Sequence, residues 1–496
     1  MTSEHVDVLI VGAGLSGIGA ACQLREHLPA KSVAVLEARE ASGGTWDLFR
    51  YPGIRSDSDM FTFGFRWRPW PGTKALADGP SILDYLRTVA SEYGVDELIR
   101  YRHRVVRASW DSAAATWTVE VDRWVDDAVT RVVITAGMLW CASGYYDYDE
   151  PFAPEFAGEE EFTGELVHPQ HWPADLDVSD KTVVVIGSGA TAITLVPALA
   201  ETAGHVTMLQ RSPTYVVSRP SREPLATRLA TLPTRVSYPV VRWANILLTV
   251  GSYQLARRRP AFMKGLIRKG VAAQLPDDYD IDVHFRPSYD PWDQRLCFVP
   301  DGDLFRALSK GQASIVTDTI ETFTPRGIRL ASGRELEADI IVTATGLQLL
   351  AFGGLDLVVD GERVDFAKTM AYKALMLSGV PNFAYTVGYT NASWTLKADL
   401  VSTYVVRLLE HLDAIGARSA VPVRPDGVAE IPFMDFQSGY VLRALDRLPK
   451  QGDRAPWRLK QNYLTDLRTI RRGAIDDGVL AFDAVPAKGD QPLTTV

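Results

Sequence analysis

Cysteine is scarce in this chain. Only Cys22, Cys141 and Cys297 occur in 496 residues, far apart, which excludes a CxxC dithiol, a clustered zinc site and a disulfide framework and fits a reducing cytoplasm. No run of ~18 uninterrupted apolar residues is present, so no segment is expected to span a membrane. The opening stretch MTSEHVDVLIVGAG lacks a basic leader and has too short an apolar run for a secretion signal. Positive charge is not in excess: 52 Lys and Arg against 61 Asp and Glu leave a formal charge of -9, so nothing draws the chain as a whole to nucleic acid. With 46% hydrophobic and 23% charged residues, the composition is globular, and the length suits roughly three domains of ~150 residues.

What is present is a strand, a glycine turn and a helix, twice over. Val6 to Val11 stack aliphatics as a buried parallel strand does; Gly12-Ala13-Gly14-Leu15-Ser16-Gly17 follows and runs into a helix-prone stretch through Leu28. Gly12 permits the tight turn, Gly14 lets a pyrophosphate approach the backbone, Gly17 allows close helix–strand packing, and the helix N-terminus supplies N–H donors. The next strand, Val33 to Leu36, ends in Glu37, 20 residues beyond Gly17, where a carboxylate accepts hydrogen bonds from an adenosine ribose diol. With 38 glycines in the chain, the spacing alone is weak evidence; the strand–turn–helix context decides it.

Lys181 to Ile186 repeat the strand pattern, followed by Gly187-Ser188-Gly189-Ala190-Thr191-Ala192 with alanine at the third position. Here the following strand, Val206 to Leu209, ends in Gln210-Arg211-Ser212, and Arg211 lies 19 residues past Ala192. A guanidinium at that place pairs with a 2'-phosphate, which a carboxylate would repel. Glu37 therefore points to FAD and Arg211 to NADPH, the bland alternative for Arg211 being a solvated surface arginine. Two sites of opposite preference indicate a flavoenzyme reduced by a nicotinamide. The disulfide reductases share that pairing but need two neighbouring cysteines, which this chain lacks.

The expected fold class is α/β, with two Rossmann-like dinucleotide-binding domains, one for FAD and one for NADP, and a helical insertion. Residues 1–150 form the first part of the FAD domain and 151–335 the NADP domain, with the insertion near 219–285. Residues 336–496 return to complete the FAD domain and cover the active site, the aliphatic strand Asp339 to Thr343 leading the return. Arg219 to Lys269 departs from the acidic whole: eleven Lys or Arg stand against one acid, Glu223, interleaved with Trp243, Ile246, Leu247, Leu248 and Val250. Such a stretch fits peripheral contact with an anionic membrane surface, steering of NADPH, or an ordinary solvated helical cap.

Between the two turns lies FTGELVHPQHWP. Its Phe162, Gly164, His168, Trp172 and Pro173 resemble the FxGxxxHxxxWP fingerprint of type I Baeyer–Villiger monooxygenases. Gly43-Gly44-Thr45-Trp46 and Arg50-Tyr51-Pro52-Gly53 are similar to that family's flavin loop, and the order of motifs matches along nearly the whole chain. Arg50 to Asp59, His168 to Pro173 and Gly388 to Asp399 resemble most closely its ethionamide-activating group.

The resemblance implies that NADPH reduces FAD, dioxygen adds at flavin C4a, and the resulting peroxyflavin converts a small apolar ketone to an ester or lactone. It implies that Arg295 stabilises the peroxide and the tetrahedral intermediate and that Asp57 orients Arg295; a permanently charged donor suits that task at any working pH. It also places Ser16, Gly44, Thr45, Trp46, Asp47 and Leu48 around the flavin, Val105 on the adenine side, and Arg55, Ser56 and Asp57 towards the nicotinamide. His168 is expected to organise the junction between domains rather than transfer a proton, a satisfied core histidine being the alternative. Many members have lysine where Gln294 stands, so Arg211 and Ser212 carry most of the preference for NADPH. Sulfides or thioamides meet the same oxidant, so an S-oxygenase is the first alternative; an uncoupled NADPH oxidase or nucleotide sensor is the second.

Overall fold

The computed structural model describes residues 4–126, 128–434 and 436–484. In chain order the first unit opens with β1 (Glu4–Val11), α1 (Leu15–His27), β2 (Val33–Leu36), β3 (Ile99–Arg100), β4 (His103–Asp111), β5 (Thr116–Val125) and β6 (Ala128–Cys141). The second unit contains β7 (Glu165–Val167), β8 (Thr182–Ile186), α2 (Ala190–Leu199), β9 (His205–Gln210), β10 (Val216–Arg219), α3 (Thr234–Arg258), α4 (Pro260–Ala272), β11 (Cys297–Pro300), β12 (Ala313–Thr317) and β13 (Ile340–Thr343). The chain then returns through β14 (Asp356–Val359), β15 (Phe383–Tyr385) and α5 (Trp394–Ile415).

β1 is covered on both faces, which is why Val8, Leu9 and Ile10 read as a continuous aliphatic run rather than an alternation. It pairs in parallel with β2 on one side and β6 on the other. β6 is long enough for two tasks: its first half closes an antiparallel meander with β4 and β5, and its last residues pair with β1 and β15. In the second unit β12, β9, β8, β13 and β7 form one parallel sheet. The α/β fold with two glycine turns is therefore as the sequence indicates.

One boundary differs. Ile340–Thr343 does not lead the return into the first unit; as β13 it sits between β8 and β7 inside the second sheet, so that unit runs to about residue 343 rather than 335. An aliphatic run reports burial on both faces and is silent about which sheet buries it.

Two chain crossings join the units, residues 142–164 outward and 344–355 back. They run side by side: the Asp147 N–H donates to the Gln348 carbonyl at 3.0 Å, the Leu350 N–H to the Tyr145 carbonyl at 2.9 Å, and Tyr146 faces Leu349 in an antiparallel bridge. α5 packs with α1 in the core of the first unit. The helical insertion spans both cores, since α3 buries Tyr238, Val241 and Ile246 with the first and α4 buries Ile267 and Val271 with the second. Arg242 of α3 is buried too, its guanidinium donating to the carbonyls of Phe61 and Gly64, each at 2.7 Å.

Candidate active site

A cavity of about 1040 Å³ runs between the two units and reaches both glycine turns. In the first turn Gly12 has φ +104°, and a Cβ at Gly17 would lie 1.8 Å from the Gly12 carbonyl oxygen. Glycine is thus required at Gly12 by backbone conformation and at Gly17 by packing. α1 is preceded by Gly14 as its N-cap, with no side chain capping its N–H groups and no acid in its first turn. Those donors and the positive end of the helix dipole remain for an anion.

Glu37, 6% exposed, accepts from the Ala13 N–H at 2.8 Å and the Arg39 N–H at 3.0 Å. These bonds aim its carboxylate along the cavity wall with lone pairs to spare. The loop Gly43-Gly44 lies directly on the turn, a Cβ at Gly44 falling 3.0 Å from the Gly14 Cα. Thr45 and Tyr148 share a hydrogen bond of 3.1 Å, and burial pushes the Tyr148 phenol up to about 12. Ser16 accepts from the Trp394 indole N–H at 2.8 Å; Trp46 and Val105 complete this end of the wall.

The second turn has the same backbone in a more open setting. Gly187 has φ +136°, and a Cβ there would meet the Ala344 carbonyl oxygen at 2.4 Å, whereas one at Gly189 would meet no atom within 4 Å. The protein's own packing therefore does not call for glycine at Gly189, and the backbone there is open to the cavity. Gly189 is the N-cap of α2, again with no side-chain cap and no acid in the first turn. Ser188 donates to the Ser212 carbonyl at 3.0 Å, fastening the turn to the loop that carries Arg211. Gly187, Ser188, Gly189, Ala190, Thr191, Arg211 and Ser212 all line the cavity, with Arg211 exposed. Gly17 and Ala192 do not line it; they are helix–strand packing positions.

Between the turns Arg295 donates to Asp57 through two bonds, from Nε to Oδ2 at 2.7 Å and from Nη2 to Oδ1 at 2.9 Å. The two residues are 238 positions apart in the chain, and the structure brings both to the cavity wall. The Asp57 carboxylate holds the guanidinium still more firmly protonated than usual. Two of its five N–H donors are committed to Asp57; the rest of the fork is left for an acceptor in the cavity. Around the pair stand Tyr145, Tyr146 and Tyr440, whose phenols burial pushes well above their ordinary range, and the Tyr145 ring lies 5.1 Å from that of Trp394.

Arg55 pairs with Asp303 of the second unit at 2.5 Å, and its Nη2 is buried with no hydrogen-bond partner. Ser56 is buried beside it and accepts from the Ser58 N–H at 3.0 Å. The loop before them is the junction itself: Gly53, at φ +75°, is so close to α2 that a Cβ would lie 2.8 Å from that of Ala198.

Two of the expected flavin-loop residues turn elsewhere. Asp47 is buried, but its carboxylate accepts from Arg39 at 2.7 Å and Arg87 at 2.8 Å; neither it nor Leu48 lines the cavity. The fingerprint residues also stand outside the cavity wall. Phe162 packs edge-on against Phe323, a Cβ at Gly164 would lie 2.3 Å from the Asp339 carbonyl oxygen, and Trp172 packs on the second core. Their shared effect is to hold the outward crossing. His168 Nδ1 accepts from the Gln170 N–H at 3.1 Å, and Gln170 donates to the carbonyls of Asp147 and Tyr148 at 3.1 and 3.0 Å. Burial, with His171 nearby, pulls the His168 imidazole down to about 4, so it is neutral at working pH. Gln170, which holds the crossing, and Tyr145, Tyr146 and Tyr148, which line the cavity, are positions the sequence did not single out. The only signal available was the density of tyrosine in the stretch SGYYDYD, which follows a strand.

A family described as flavin-binding monooxygenase-like matches residues 75–243, and one described as an NAD(P)-binding Rossmann-like domain matches residues 10–78. The FAD-containing monooxygenase EthA of Mycobacterium tuberculosis is 57% identical, over 98% of this chain and 99% of its own length. The EthA of Mycolicibacterium smegmatis is 53% identical over 97% of each. Among solved structures, an oxidized steroid monooxygenase bound to NADP matches with a TM-score of 0.78 at 23% identity, covering 97% of this chain and 100% of that one. A complex of OTEMO with FAD and NADP matches with a TM-score of 0.69 at 23% identity, covering 85% and 88%; these two likenesses are of fold. FAD is thus the cofactor, and Glu37 with the first turn fits it; the open second turn with Arg211 fits a second nucleotide. Matched along its whole length by such relatives, the chain belongs to the FAD-containing flavin monooxygenases.

Proposed function

We propose that the protein is a Baeyer–Villiger monooxygenase that inserts one oxygen atom beside the carbonyl of an apolar ketone, giving an ester or lactone. The balance is ketone, dioxygen, NADPH and a proton in; ester, water and NADP out. FAD and NADPH, when bound, supply the reducing equivalents and the activation of dioxygen. The observation that carries the reading is the Arg295–Asp57 pair on the cavity wall between the two nucleotide turns.

The chain's own part is electrostatic and steric. Arg295 presents a fixed cation to an anionic oxygen and to the oxyanion that develops from the ketone, and Asp57 fixes its rotamer. Tyr145, Tyr146, Tyr440 and Trp394 wall the site with large rings, which limits water and suits an apolar substrate. His168, neutral and off the wall, holds the crossing in place rather than moving a proton. The three cysteines are buried and unpaired, in keeping with a cytoplasmic setting.

Replacing Arg295 with alanine tests the reading. Ester formation is expected to fall about 10²- to 10³-fold, with FAD retained and NADPH still oxidised to NADP, the dioxygen now reduced to hydrogen peroxide. Ester formation at the original rate would overturn it. Parallel product analysis with a ketone and a thioether decides between carbon and sulfur as the preferred acceptor, and NADPH consumption indifferent to both would mark an oxidase.

A further inference from the structure

The basic stretch 219–269 resolves into two kinds of residue. Arg242 is buried, and Arg257, Lys264 and Arg268 pair with Asp293, Asp290 and Asp282 at 2.6, 2.7 and 2.8 Å. Arg228, Arg235, Arg258, Arg259 and Lys269 are exposed, and among the described residues no carboxylate pairs with them. Beside these cations lies an unusual concentration of exposed apolar side chains. On α3, Val236, Val240, Trp243 and Leu247 recur at spacings of three and four and so share one face, with Leu248 and Leu255 along its edge; Phe262 and Leu266 are exposed one turn apart on α4. Leu248 is 62% and Phe262 60% exposed. A helix of 25 residues carries this face over about 37 Å, although no helix among the described residues is long and apolar enough to cross a membrane.

We propose that α3 and α4 dock the protein on the surface of an anionic lipid bilayer. An apolar face set among unpaired cations is the arrangement that binds such a surface, by burial into the acyl boundary and attraction to the headgroups. Charge argues against a second copy of the chain as the occupant, because a two-fold contact through this face would set its cations against their own counterparts. The net charge of -9 opposes the lipid elsewhere, so the attraction is local and salt-sensitive.

The position has a use. Asp290 and Asp293, held by Lys264 and Arg257, and Trp292, whose ring lies 5.7 Å from that of Tyr253 of α3, belong to the loop that carries Gln294 and Arg295 to the cavity. Docking thus sets the substrate side of the site next to the phase in which apolar ketones concentrate.

The test is flotation of the FAD-loaded enzyme with vesicles of mixed phosphatidylglycerol and phosphatidylcholine, against vesicles of phosphatidylcholine alone. The enzyme is expected to float with the anionic vesicles at low ionic strength and to be released by high salt. The double variant Leu247→Ser, Leu248→Ser is expected to weaken partitioning by about a hundredfold, and Arg258→Gln with Arg259→Gln by about thirtyfold. Turnover of a water-soluble ketone without vesicles should be unchanged in both, which separates this proposal from the reading of the active site. Enzyme left in solution at low salt, or flotation indifferent to all four substitutions, would overturn it. So would variants that changed the oligomeric state while the wild type ignored vesicles, since the face would then belong to a second copy.

Discussion

The two glycine turns have the same backbone and opposite surroundings. Around the first, the protein closes in: the Gly43-Gly44 loop lies on Gly14, Gly17 touches Gly12, and Glu37 is buried on two backbone donors. Around the second, a Cβ at Gly189 would meet nothing and Arg211 is exposed. One sequence pattern thus stands in two settings, an enclosed one that suits a group that stays and an open one that suits a co-substrate that leaves. What separates them is the loop laid on the turn, more than the turn.

The contrast breaks most visibly at the third position. Gly17→Ala forces a methyl group to 1.8 Å from a carbonyl oxygen and is expected to abolish flavin retention and most soluble yield, read as the ratio of flavin to protein absorbance. The converse change, Ala192→Gly, is expected to cost about 1 kcal/mol of helix propensity and a few degrees of Tm with both cofactors still bound. If Gly17→Ala kept its flavin, the enclosed setting of the first turn would not matter as argued.

A middle-sized effect sharpens the difference in charge. Arg211→Ala removes a charge-assisted contact, expected to raise KM for NADPH about 10- to 100-fold while leaving NADH unaffected. Equal changes for the two cofactors would make Arg211 an ordinary surface residue.

The smallest effect lies at the junction. His168 has its pKa lowered to about 4 in the fold, below the ordinary value of about 6.5, so the unfolded chain takes up the proton more readily. Its contribution to stability is complete above pH ~6.5 and is lost as pH falls towards 4. From pH 7 to pH 5, the Tm of the wild type is expected to drop a few degrees more than that of His168→Gln; equal drops would place His168 outside the acid response.

Much of this was legible because it depends on local geometry. Both turns, Glu37 and Arg211 follow from spacing after an aliphatic strand, which the fold reproduces. Arg295 and Asp57 were legible only by resemblance, since no spacing rule reaches across 238 residues. The sheet to which Ile340–Thr343 belongs was not legible, because burial on both faces looks alike in either sheet. Nor was the partnering of Asp47, whose carboxylate is taken up by Arg39 and Arg87, or the burial of Arg242 inside a basic run.

The paired crossings carry one consequence further. A single connection lets two bodies swivel; two connections laced by hydrogen bonds act as a strap hinge, stiff to twist and soft to bending. Gly144 and Gly346, at φ +74° and +118° with no atom within 4 Å of an added Cβ, sit one on each strap with room to flex. With α3 and α4 set in both cores and Arg55 tied to Asp303 across the junction, any bending of the straps is shared with those contacts, so the two turns stay in register.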